Sequence, residues 1–404
     1  MPQACEQFDQ RLRPVDGSLL NLNVGGTAPR LRGVVEAIDA SSASGFASSR
    51  SGPSISHPVE SFRAQLAGYL SVRPEQVAFL SGTTRAIEAA LLASSPAVIF
   101  IPCFDSQLDL EHASAIARFE SLRACFGIEL KRIPISGLRK DAIAQSVVEA
   151  VLDDPARAKT LFISHVTATG FMLPVEEVIA CWQAAGRPYR LIIDGAHAVG
   201  QLPVTCAAAP DAYVFGGHKW IMGPPTLGVL IAGEGMHSDA GADDLFYKRL
   251  RHVVFEGFAF MGDEPAAERS STVGLEPFIG AGASLEIVAG VRAHDRLKEL
   301  GKLFRDRCRH LPNIALLDLR ELDPAPGMFL VQAAEQALDA YELKQVQQRL
   351  REEFGVVVKT VARPLPGVAC AFRICLPFYL TEEEISQIAV KLNQALPVRS
   401  LAVP

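Results

Sequence analysis

A lysine and an aspartate stand where an α/β chain places chemistry. In YVFGGHKWIMGPPTLGVL, Lys219 follows an apolar strand and a Gly-Gly turn and precedes a second apolar strand. In LIIDGAHAVG, Asp194 closes another apolar run. Open α/β sheets bind ligands beyond the carboxyl ends of their strands, so the two side chains are expected to share one crevice. An amine there forms a Schiff base with an aldehyde. A carboxylate there holds a pyridine nitrogen protonated, so that the ring accepts electrons from a carbanion. The pair suits pyridoxal 5'-phosphate (PLP). A lone loop lysine would read as a surface residue; it is the aspartate upstream that changes the reading.

A third feature fits the same ligand. Ser81-Gly82-Thr83-Thr84 lies between a predicted strand and a predicted helix. Backbone N–H groups and threonine hydroxyls at a helix N-terminus hold a phosphate through the local positive dipole. A plain Ser/Thr N-cap would look much the same in isolation. The nucleotide signatures G-x-G-x-x-G after an early strand and G-x-x-x-x-G-K-[ST] are both absent.

The elements that must position these residues are legible as short β-branched runs alternating with helical patterns, the sign of an α/β chain around a mostly parallel sheet. Seven runs read as strands: VAFL, AVIFIP, ELKRIPI, KTLFISHV, YRLIID, DAYVF and TLGVLIA. Helices are expected over 84–92, 141–152 and 175–185, the last with Pro174 just before its start. A long helix is expected over 275–300. A smaller domain follows, with strands IALLDL, GMFLVQA, VVVKT and ACAFRICL and helices over 338–354 and 381–396. The last opens on a capping box from Thr381 to Glu384. Residues 40–56, rich in Ser and Gly, read as a loop over the site.

Composition bounds the function. The chain has 404 residues, 49% of them hydrophobic and 21% charged, which excludes a disordered or fibrous protein. Its net charge of −6 and lack of a basic block argue against nucleic acid. The N-terminus lacks an apolar signal-like region and no stretch is long enough for a membrane span, so a cytoplasmic protein is expected. The eight cysteines are scattered without zinc spacing and read as reduced thiols, with no metal site.

Taken in order, FLSGTTRAIEA, ISHVTATGFMLPV, IIDGAHAVGQLPV, GGHKW and FRICLPFYLTEEEI resemble the class V aminotransferase group of fold-type I PLP enzymes. The likeness is greatest to its isopenicillin N epimerase-like and cysteine desulfurase-like branch, and runs from about residue 77 to about 385. It implies a large PLP domain with a mostly parallel seven-stranded sheet (61–285), a smaller α+β C-terminal domain (286–404) and an N-terminal arm with an active-site loop (1–60). It implies a homodimer acting on a small-molecule amino-acid substrate. Lys219 becomes the Schiff-base lysine and proton carrier, Asp194 the pyridinium partner, and His197 the partner of the cofactor's phenolic oxygen, where many relatives have Gln. Gly82, Thr83 and Thr84 form the phosphate cup, with His218 near the phosphate or imine. Phe104 takes the place of the ring that stacks on the cofactor. Thr272 matches a threonine that reaches the phosphate across the dimer interface. Arg373 matches the arginine that receives the substrate carboxylate, for which a planar fork is suited.

The sequence departs from this pattern in three places. KTVARPLPG lacks the desulfurase cysteine, and Cys370, only three residues before Arg373 and in the predicted strand, is poorly placed to replace it. Gly216 stands where many members have a phosphate-binding Ser, which shifts that contact to Tyr213 or His218. ISHVTATG is one residue short, leaving Thr167 or Ala168 toward the ring, and Thr167 is preferred for its hydroxyl. Removal of the Cα proton leads to transamination, to β-elimination at a carbon–sulfur bond, or to epimerisation; fold likeness does not choose among them. Aminotransferase chemistry is the broadest expectation, a carbon–sulfur β-lyase or epimerase the alternative, and a non-catalytic binding module the remaining one.

Overall fold

The computed structural model describes residues 10–43, 56–105, 108–206, 210–236, 244–253, 274–335 and 337–397. The seven apolar runs form β1 (Val77–Leu80), β2 (Val98–Asp105), β3 (Glu129–Pro134), β4 (Lys159–Ser164), β5 (Arg190–Asp194), β6 (Ala212–Gly216) and β7 (Gly228–Ala232). They lie in one sheet in the order β1-β7-β6-β5-β4-β2-β3. Only β7 runs antiparallel to its neighbours. A two-residue strand, Leu108–Asp109, folds back on the end of β2 as an eighth.

The helices are α1 (Arg32–Ala43), α2 (Ser56–Leu70), α3 (Thr83–Ser94), α4 (Ala113–Phe126), α5 (Lys140–Leu152), α6 (Val175–Ala184), α7 (Leu245–Val253), α8 (Glu276–Gly290) and α9 (Ala293–Arg309). One sheet face, including Ala78, Phe162 and Val214, is covered by α3, α4 and α7 through residues such as Ala90, Phe119 and Phe246. The other, including Phe79, Ile163 and Phe215, meets α2, α5, α6 and α8 through Phe62, Val147, Trp182 and Leu285. Burial on both faces is why the inner strands are near-continuous apolar runs, whereas edge strand β3, ELKRIP, is largely exposed and carries charges.

The single helix expected over 275–300 is two. The chain breaks at Arg292, whose φ of 51° is left-handed, and α9 begins on the next residue. That position usually carries Gly or Asn, so an arginine there gave no stop signal.

A second sheet follows, with β8 (Ile314–Leu317), β9 (Met328–Ala333), β10 (Lys359–Leu365) and β11 (Val368–Cys375) in the antiparallel order β8-β9-β11-β10. Helices α10 (Ala340–Glu352) and α11 (Glu382–Ala395) pack with it through Leu343, Leu350 and Ile388. The expected VVVKT strand is interrupted, and β10 continues through Pro364 with a register shift between Ala362 and Leu365. An edge strand tolerates a proline because its outer N–H has no ladder partner.

The N-terminal segment joins this second sheet region rather than standing apart. Leu20–Asn21 pairs in parallel with Val356–Val357, and Cys375 donates its N–H to Leu22 O at 2.8 Å. The chain thereby crosses the carboxyl edge of the large sheet on its way to α1.

Candidate active site

Asp194 ends β5 and is buried, its Oδ1 accepting the Ala196 N–H at 2.8 Å. The next residue must be glycine: a Cβ on Gly195 would lie 2.1 Å from the Tyr213 ring. One strand over, β6 runs into the Gly217-His218-Lys219 turn. That turn is closed by Gly217 N–H to Leu227 O (2.9 Å) and Gly223 N–H to Gly217 O (2.8 Å), and is anchored by buried Trp220, Ile221 and Met222. Lys219 Nζ comes within 3.3 Å of His197 Nε2. Burial brings the Lys219 amine down to about 8, with Asp194 pulling it up and Arg373 pushing it further down. Burial raises Asp194, opposed by the Lys219 charge. His197 is driven well below its ordinary range by burial and then by the surrounding cationic groups, so it is a neutral imidazole. Its Nδ1 has no partner among the described residues.

At one end of this cluster, Gly82 opens α3 with φ 152° and ψ 166°, a conformation reserved for glycine. The first intrahelical bonds come from Arg85 and Ala86 to Gly82 O, which leaves the N–H groups of Thr83 and Thr84 ahead of the helical ladder. Thr83 Oγ1 and His218 Nδ1 are buried without partners. They lie on either side of Gly216, where a Cβ would meet Thr83 Oγ1 at 2.6 Å and His218 Cε1 at 3.0 Å. The threonine hydroxyl occupies the space that a serine at 216 would need, which accounts for the glycine. Of the two residues expected to compensate, His218 is present. Tyr213 is not, because its hydroxyl meets His165 Nδ1 at 3.0 Å behind Gly195.

At the other end, buried Arg373 on β11 donates from Nη1 to Ala168 O (2.9 Å) and from Nη2 to Asn23 Oδ1 (3.1 Å), while its Nε has no partner. Thr167 does not turn its hydroxyl outward as expected. That oxygen accepts the Phe171 N–H at 3.0 Å and meets Thr169 Oγ1 at 3.1 Å, closing the shortened 167–171 turn. The short segment thus offers the Ala168 carbonyl to Arg373. Phe104 is half-buried against the sheet core. Thr272 lies outside the described residues, as does most of the 40–56 loop.

Three residues of this cluster escaped the sequence reading. His112 caps α4, accepting the Ser114 N–H at 3.2 Å, and lies within reach of Lys219 and Arg373. Burial and then the charges of Lys219, Arg373 and Lys359 bring it down to about 4. A histidine directly ahead of a helix was the available signal. Glu111, beside it, is buried and accepts the Ser164 N–H at 3.0 Å, where Ser164 pairs in register with Asp194. Asn23 reaches Arg373 from the N-terminal segment. There Gly25 passes so close that a Cβ would lie 3.1 Å from the His197 ring and 3.0 Å from Cys375 Sγ. The Gly-Gly pair at 25–26 was its signal.

The residues present fit PLP. Unpaired N–H groups, a buried hydroxyl and an orphaned imidazole nitrogen suit a phosphate at one end. A neutral histidine, a lowered amine and a buried carboxylate suit the aldehyde, phenol and ring nitrogen in the middle.

Comparison with known proteins agrees with this geometry. The chain is 27% identical to the isopenicillin N epimerase of Amycolatopsis lactamdurans, over 94% of this chain and 96% of that one. It is 26% identical to a cysteine desulfurase of Pectobacterium atrosepticum, over 83% and 82%. In fold it matches the cystine C–S lyase C-DES in complex with its product cysteine persulfide, at a TM-score of 0.72 and 20% identity over 94% of this chain and 99% of that one. The family model for aminotransferase class-V matches residues 20–388, and the chain belongs to that family.

Proposed function

We propose that this PLP-dependent class V enzyme transforms an α-amino acid by moving its Cα proton, with Lys219 as the group that holds the cofactor and carries the proton. The observation that supports this most directly is the Lys219 amine, lowered to about 8 and set 3.3 Å from a neutral His197. An amine with that affinity takes and returns a proton near neutral pH. When bound, PLP supplies an electron sink for the charge left at Cα. The protein's own residues do the rest. Asp194 would hold a positive charge at the ring nitrogen, and His197 would hydrogen-bond beside the reacting amine. Gly82, Thr83, Thr84 and His218 would receive the phosphate. Arg373 uses its unpaired Nε and remaining fork to fix the substrate carboxylate, braced by Asn23 and Ala168.

Transamination is the leading outcome. Elimination from a carbon–sulfur bond and epimerisation are the second reading, favoured by relatives named for a C–S lyase and an epimerase. A cysteine persulfide relay is disfavoured, because Cys370 is buried with its thiol on Leu338 O at 2.9 Å. We place the enzyme in the cytoplasm as a homodimer. The dimer follows from the likeness of Thr272 to a cross-interface residue, and no described helix is long and apolar enough to cross a membrane.

The test is the absorbance of the purified protein with PLP, before and after mixing with a panel of amino acids and cysteine conjugates. A visible band absent from Lys219→Ala is expected. Its conversion in step with 2-oxo acid formation favours transamination. Release of ammonia and thiol favours elimination, and solvent deuterium in both enantiomers favours epimerisation. A wild-type protein that takes up no PLP would sink the reading.

A further inference from the structure

The carboxylate-binding end of the site carries one more positive charge than an α-amino acid requires. Arg373 on β11 stands directly opposite Lys359, the first residue of edge strand β10. Residues paired in antiparallel register project from the same face of the sheet, with Cβ atoms about 5 Å apart, and like charges so placed repel. Nature usually relieves such a pair with an acid. Here Arg373 meets only neutral oxygens, Ala168 O and Asn23 Oδ1, and Lys359 has no ion pair or hydrogen bond among the described residues.

Two further observations aim Lys359 into the cleft. Val358, just before it, is buried, and Gln347 Nε2 holds the Val358 carbonyl at 2.7 Å, which fixes the start of β10 and leaves exposed Lys359 on the opposite side. His112, across the cleft at the head of α4, experiences the positive charges of Lys219, Arg373 and Lys359 together. Asp194, at the end of β5, offsets the Lys219 charge, whereas Glu111 is a buried carboxyl pushed up to about 8, hence uncharged at neutral pH.

With PLP in place the charges would sort by position. The phosphate would sit at the Thr83 and His218 end, Lys219 would be consumed in holding the cofactor, and Arg373 would take the α-carboxylate. Lys359 would be left over on the substrate side. We infer that Lys359 is a specificity residue for a second anionic group, so that the substrate is an amino acid with an acidic side chain, a carboxylate or sulfinate. This deepens the function proposed above and rests on it.

The experiment uses the PLP-loaded protein and spectral titration with unreactive analogues that lack a Cα hydrogen. The probes are α-methylaspartate against α-methylasparagine and α-methylglutamate against α-methylglutamine. Wild type should bind the anionic member of at least one pair about tenfold more tightly, the worth of one charge-assisted hydrogen bond. Lys359→Met should bring that ratio close to one, and Lys359→Arg should restore it. No preference in wild type, or a preference that survives in Lys359→Met, overturns the inference while the cofactor band stays intact. A wild type without a cofactor band overturns the parent reading and this one with it.

Discussion

Glu111 shows what a single buried carboxyl contributes to the site. Its oxygens face Ser164 at the end of β4, and the neighbouring charges are Asp194 and Asp109. Burial, reinforced by those acids, raises it from 4.5 to about 8. The folded protein therefore keeps this proton over a range in which the unfolded chain has released it. The resulting stability is complete below about pH 4.5 and is lost as the pH rises through about 8. Lys219, lowered from 10.5 to about 8, acts in a separate window, where stability rises with pH between those values. Glu111→Gln keeps an acceptor for the Ser164 N–H and cannot ionise. The melting temperature of the wild-type apoprotein, followed from pH 5 to 8, should fall relative to that of the variant; parallel curves would show that Glu111 is already ionised in the folded state.

At the scale of elements, the phosphate end depends on glycines where three strands meet. Gly228 begins β7 between Leu80 of β1 and Gly216 of β6, and a Cβ there would lie 2.3 Å from the carbonyl of Gly82. Gly228→Ala must displace the Gly82–Thr83 turn, and overpacking of this kind costs about 1–3 kcal/mol. Its PLP affinity, measured by equilibrium dialysis, should fall by about tenfold or more, in proportion to that cost. Gly68→Ala, on the exposed face of α2 with open space around it, should instead be neutral or stabilise by up to about 1 kcal/mol. Equal PLP affinity in the two variants would contradict the close approach. The inner strands were legible because burial on both faces writes itself as near-continuous apolar residues, and Asp194 and Lys219 were legible because one ends such a run and the other follows one after a Gly-Gly turn. What was not legible depended on non-local contacts. Arg292 ends a helix without the usual glycine, and Pro364 is tolerated only because β10 is an edge. The Tyr213 hydroxyl is claimed by His165, two strands away across the sheet. His112 acquires its place only when α4 folds over the end of β4, a pairing that no local spacing encodes.

Over the whole molecule, the cofactor turn and the carboxylate-binding strand belong to different sheets, and the buried Gln201 side chain joins them alongside the Arg373–Ala168 bond. Gln201 donates from Nε2 to His197 O at 2.5 Å and accepts the Gly327 N–H at 2.8 Å. Gly327 O in turn receives the Leu376 N–H at 2.9 Å, just beyond β11, which carries Arg373. This chain of bonds, with those from Arg373 to Ala168 O and Asn23, sets the distance between His197 and Arg373, and hence between the reacting amine and the anchored carboxylate. Gln201→Leu keeps the bulk and removes both bonds, leaving a buried N–H unpaired at a cost of about 1–3 kcal/mol. Urea unfolding of the apoprotein should register that loss as a lower midpoint with an unchanged slope. A purely structural joint would show nothing more. A positioning joint should also weaken binding of the α-methyl amino acid probes while leaving PLP affinity largely intact, because the phosphate cup lies on the large sheet alone. The separation of those two affinities is the measurement that decides whether the two sheets are held in catalytic register by Gln201 or merely packed together.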